Sequence, residues 1–156
     1  MYADAPPPAV VVVSETAGFH HDSIPAEQDF LRSLSGLRVT VVDRVAQLTA
    51  TRLRGVRFAG HGAVEERRLS VTPDTVTRGL PATFTHTDEY YRFRGRLHAR
   101  VVVRFGRAPL VWRRAEGEGR VFYSALGHPI GAWSEPRHRR LVAQGLRWAM
   151  GAGRRS

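Results

Sequence analysis

His21, His61 and His128 are the side chains in this sequence best able to move a proton near neutral pH, since imidazole titrates there and can act as proton carrier, electrophile or metal ligand. Asp88 and Glu89, inside Thr-Asp-Glu-Tyr-Tyr, could accept hydroxyl groups or serve as a base, although a capping or turn carboxylate is the competing reading. Tyr91 and Trp133 could stack on a ring while their polar tips hydrogen-bond; a buried core aromatic is the equal alternative. His61, between Gly60 and Gly62, sits where backbone could approach a ligand closely or simply turn. His86, His98 and His138 read as structural or surface histidines. Three histidines and a carboxylate would suit zinc or another divalent ion. No close-spaced ligand motif supports such a site, and no cofactor is evident. Without cysteine there is neither a thiol nucleophile nor a disulfide, and without a Gly-x-Ser-x-Gly elbow a serine hydrolase fits poorly.

The elements expected to carry these residues begin with Ala9 to Val13, a β-branched run fit for a strand buried on both faces. Ser23 and Pro25 open a helix whose apolar face is Ile24, Phe30, Leu31 and Leu34, with Gly36 as its stop. Leu37 to Val42 supplies a second strand, completing the strand–helix–strand unit of a parallel sheet. From Ala46 to Thr77 no periodic segment is legible beyond an extended Val56 to Ala59. Arg96 to Arg104, Leu110 to Arg113 and Gly119 to Leu126 read as strands that could pair as hairpins, and Ser134 with Pro136 opens a last helix ended by Gly151. Its apolar face, Leu141, Val142, Gly145, Leu146, Trp148 and Ala149, is expected to cover the sheet. In an open parallel sheet, ligands bind beyond the carboxyl ends of the strands, so the segments around His21, His61 and His128 could converge there.

Length and composition suit one domain over residues 9–151, with a lead of 1–8 and a tail of 152–156. The formal net charge is +10, and every one of the 24 basic residues is arginine, in a chain without lysine or asparagine. That pattern reads as a coding habit, and the arginines are scattered rather than gathered in a stripe with aromatics, so no specific nucleic-acid partner is expected. The apolar run near the start is far shorter than a bilayer span and lacks a basic region before it. The expectation is a soluble, cytoplasmic protein with no membrane partner.

Three motifs in order, SETAGFHHDSIP at Ser14 to Pro25, RGLPATFTHTDEYYRF at Arg78 to Phe93 and GRVFYSALGH at Gly119 to His128, followed by GLRWAMG, resemble the ThuA-like (trehalose utilisation) family. The resemblance implies an α/β fold, a flavodoxin-like or class I glutamine amidotransferase-like three-layer sandwich with a mainly parallel sheet. It also implies a small carbohydrate as partner, a disaccharide or keto-sugar. On the family's Phe-Arg-His-x-Ser-Ile pattern His21 takes the histidine position and His20 replaces the arginine. The implied catalytic set is His21, Asp88, Glu89 and His128, working by proton transfer, with Ser14, Phe19, His20, His61, Tyr91 and Trp133 toward substrate. One departure stands out: where such proteins carry another strand, a helix and a glycine-rich turn, only a dozen residues separate Val42 from Gly55. The alternatives are therefore a non-catalytic remnant or interaction module of the same fold, prone to self-association through an uncovered sheet edge, and, behind that, a polyanion-binding domain.

Overall fold

Short glycine turns set the direction of much of the sheet. The computed structural model describes residues 9–13, 21–35, 38–42 and 56–151. Within them, β5 (Arg100–Phe105), β6 (Ala108–Glu116) and β7 (Gly119–Ser124) are joined by two-residue turns. Gly106 and Gly117 adopt φ of +55° and +57° in those turns, a conformation that favours glycine. A link of two residues can only return a strand antiparallel, because a parallel neighbour needs a crossover of a dozen residues or more. The same sheet holds β3 (Arg57–Val71) and β4 (Thr83–Arg94), in the order β4-β3-β5-β6-β7.

This five-stranded sheet is antiparallel throughout and curls into a half-barrel. It replaces the flavodoxin-like, mainly parallel three-layer sandwich expected from the sequence. Parallel pairing is confined, among the described residues, to β1 (Ala9–Val13) and β2 (Arg38–Val42), which form a separate two-stranded sheet linked through α1 (Ile24–Arg32). The first strand is thus not inside the larger sheet. A run of valines specifies a buried strand but not the direction of its neighbours.

β3 and β4 form a long ribbon running from Arg57 opposite Arg94 to Ser70 opposite Thr83. On β4 the alternation is regular: Phe84, His86, Asp88 and Tyr90 are buried, while Thr85, Thr87, Glu89, Tyr91 and Phe93 face the other way. The main core gathers Leu69, Val76, Phe84, Tyr90, Val102, Val103, Leu110, Val111, Leu126 and Leu141. Asp74 pins the link between β3 and β4 onto β5 and β6. Its carboxylate accepts from the Val76 amide, from Arg113 at 2.8 and 2.9 Å, and from Arg100. Burial alone would raise the pKa of Asp74, but the two guanidinium groups and the amide outweigh it and hold the carboxyl well below the usual carboxylate range.

The last helix, α2 (Pro136–Ala149), opens with proline in its first turn, and the Glu135 side chain accepts from the His138 amide at 2.6 Å. It ends near Gly151, whose φ is +80°. The helix packs on the sheet at β7 and wedges between two cores. Leu141 enters the main one, while Val142 and Ala143 meet Phe30, Leu31 and Trp133 in a second, where α1 docks. Burial of Leu31 at the α1 contact supports that docking, and truncation to alanine there would cost about 2–5 kcal/mol. α1 ends at Arg32, with Ser33 as its C-cap, ahead of the expected stop, and Gly36 lies outside the described residues.

Candidate functional site

Adjacent carboxylates on β4 leave the strand on opposite faces. Asp88 is fully buried and saturated with donors. Its Oδ1 accepts from the Glu89 amide at 2.8 Å and the His128 amide at 3.1 Å; its Oδ2 accepts from the Gly127 amide at 2.6 Å and faces His86 Nε2 at 3.1 Å. A carboxylate offers only acceptors, so His86 donates from Nε2. The loop after β7 is thus stapled to the middle of β4. Gly127 has φ +117°, and a Cβ there would stand 2.7 Å from Trp133 Cζ2, so only glycine lets the loop pass beneath the indole. Trp133 Nε1 donates to the Gly127 carbonyl at 2.8 Å.

That stapled loop delivers His128 to Glu89. His128 Nδ1 lies 3.3 Å from Glu89 Oε2, and His61 Nδ1 lies 3.1 Å from the same oxygen. His61 Nδ1 also stands 2.8 Å from the Gly62 carbonyl, which can only accept, so this nitrogen carries the proton. The ring of His21 meets His128 edge-on, with centroids 4.5 Å apart. Four side chains, from the entry to α1, from β3, from β4 and from the loop after β7, therefore share one locus. His61 lies within β3, not beyond the end of a strand. It is aimed by two irregularities in the ladder, between Phe58 and Gly60 and between His61 and Val64, and Gly60 takes φ +129° there. Bulges in a ladder, rather than the ends of parallel strands, carry this convergence.

Tyr91 shares the face of Glu89 and sits opposite His61 in the ladder. Its ring lies 5.8 Å from His61 and 5.0 Å from Phe58. Trp133 is 8% exposed and packs on Phe30 and His138, so its place is against the Gly127 turn. Ser14, Phe19 and His20 lie outside the described residues. Among the described residues no group of three His, Asp or Glu side chains is arranged to hold a metal ion. A Glu–His pair of this geometry holds the imidazole in one tautomer and leaves Nε2 to exchange a proton, with the carboxylate stabilising the imidazolium.

Behind Asp88 the chemistry is structural. His138 donates from Nδ1 to the Ala132 carbonyl at 3.0 Å, while its buried Nε2 has no hydrogen-bond partner. Burial first, and His86 second, push its pKa down to about 4. Burial and the charge of Asp88 push Tyr90 up to about 12, and its hydroxyl donates to the His86 carbonyl at 2.6 Å. Sequence reasoning missed Gly127, which supports the site, and Phe58, whose exposed ring lies beside it. A glycine before His128 and an aromatic three residues before His61 are the signals that were there to find.

The family described as ThuA, trehalose utilisation, matches residues 43–149. A solved ThuA-like protein from Parabacteroides merdae is similar at 27% identity and a TM-score of 0.52, over 60% of this chain and 41% of that one. This chain therefore matches less than half the length of that protein. No curated protein matches the chain.

Proposed function

The chain belongs to the ThuA (trehalose utilisation) family, and from that premise we propose that the Glu89 locus binds a small carbohydrate, a disaccharide or its keto derivative, and moves a proton on it. The observation that carries this reading is the single Glu89 oxygen shared by His61 and His128. His128 Nε2 takes a proton from a sugar hydroxyl or from the carbon beside a carbonyl. Glu89 steadies the imidazolium that results, while His61, whose Nδ1–H is given to the Gly62 carbonyl, lies beside the same carboxylate. Asp88 acts through the loop it holds and is a positioning residue.

A second reading, binding without turnover, is favoured by the dozen residues between Val42 and Gly55, where the resemblance calls for a further strand, helix and glycine-rich turn. One experiment addresses both. Calorimetric titration and product analysis with trehalose, other disaccharides and their keto derivatives, with and without divalent ions, should give saturable binding that Glu89→Gln and His128→Ala weaken. Binding with no product identifies a binding protein. Absence of binding to the whole panel rejects the carbohydrate reading.

A further inference from the structure

We propose that Phe58, buttressed edge-on by Tyr91, is a stacking surface for the second ring of a disaccharide whose first ring lies against Glu89, His61 and His128; this rests on the carbohydrate reading of that site. Phe58 is 46% exposed, a large apolar ring left on the surface. It is not isolated. Its ring meets Tyr91 edge-on at 5.0 Å and His61 at 6.0 Å, and Tyr91 continues to Phe93 at 6.4 Å.

The ladder explains the alignment. Glu89, Tyr91 and Phe93 are alternate residues of β4 and share a face; His61 stands opposite Tyr91, and Phe58 opposite Phe93. The bulge between Phe58 and Gly60 keeps Phe58 and His61 on that face, although three positions apart would otherwise send them to opposite sides. His61 belongs to both sets, because its Nδ1 faces Glu89 while its ring adjoins Phe58 and Tyr91. A ligand held by Glu89 and His61 therefore has an aromatic surface beside it, with the Phe58 ring centre 6.0 Å from that of His61.

The chemistry of the platform selects the occupant. A pyranose presents a face of C–H groups with slight positive charge, which suits the negative face of an aromatic ring, and a rim of hydroxyls that carboxylate and imidazole groups can bind. On this proposal a monosaccharide occupies only the Glu89 locus and leaves Phe58 uncovered.

The test is titration of the whole chain with trehalose and with methyl α-glucoside, each also as its keto derivative, for the natural protein, Phe58→Ala and Phe58→Tyr. The natural protein should favour the disaccharide by about tenfold, a preference that Phe58→Ala removes and Phe58→Tyr keeps. Glucoside affinity should stay within about twofold in both variants. If both sugars bind and Phe58→Ala leaves their ratio unchanged, the platform is wrong while the Glu89 reading stands. If neither sugar binds the natural protein, both fall. If Phe58→Ala instead lowers the sedimenting mass and leaves sugar affinity alone, the aromatic face is a contact between copies of the chain and the proposal is overturned.

Discussion

Removing the charge from Asp88 and from Glu89 should have unlike effects, because the first is enclosed by four donors and the second, though largely covered, faces two imidazoles. Asp88→Asn puts an amide NH2 among three backbone N–H groups and His86, at a cost of about 2–3 kcal/mol of stability measured by urea unfolding. Glu89→Gln should lower the unfolding free energy by less, about 1 kcal/mol or under, while weakening sugar binding. His138 predicts a pH dependence whose sign follows from its lowered pKa of about 4 against an ordinary 6.5. Between those values the unfolded chain takes up a proton that the folded chain refuses. The contribution is full above about 6.5, is lost as pH falls through the window, and levels off below about 4. Asp74, held well below the usual carboxylate range, keeps its contribution until pH falls to about the ordinary carboxylate value of 3.8, at the lower end of that interval. Thermal midpoints scanned from about pH 7 to 4 should fall, and His138→Gln should flatten the descent; an unchanged slope in that variant would assign the effect elsewhere.

Helix α2 depends on a glycine that intrinsic propensity alone would replace. A Cβ at Gly145 would run into the ring of Phe122 on β7. Gly145→Ala should therefore lower the thermal midpoint, although alanine favours a helix interior by about 1 kcal/mol over glycine. Pairing it with Phe122→Leu should recover part of the loss. The same helix shows what the sequence makes legible: Pro136 and Gly151 mark its ends, but of the apolar face expected to cover a mainly parallel sheet, Leu141 and Trp148 pack on the antiparallel one while Val142 and Leu146 turn to the second core. β6 and β7 were legible too, because Leu110 to Arg113 and Gly119 to Leu126 are apolar runs punctuated by glycine turns. β3 was not. Glu65, Glu66, Arg67 and Arg68 erase any apolar alternation, and the strand exists through its ladder with β4 rather than through a buried face. At the site, His21, Glu89 and His128 stood out by residue type and by the family resemblance. The burial of Asp88 did not, because only the phase of β4 tells which of two adjacent carboxylates turns inward.

Across the whole molecule the charge of +10 is partly absorbed into the fold. Arg100 and Arg113 serve Asp74, and Arg67, Arg114 and Arg137 pair with Glu65, Glu116 and Glu135. The guanidinium groups of Arg113 and Arg120 lie over Trp148, and that of Arg139 lies over Phe30. We therefore expect duplex and single-stranded DNA to bind only weakly and with steep salt dependence; a sequence-selective complex of about 10 nM affinity at physiological salt would overturn that. The division of labour on β4 also bears on descent. On the function proposed above, Asp88 would answer to folding and Glu89 to the ligand, so the two neighbours would meet separate selection. A lineage that gave up the ligand would keep the aspartate and let the glutamate drift, and the state of that one dipeptide would then date the loss.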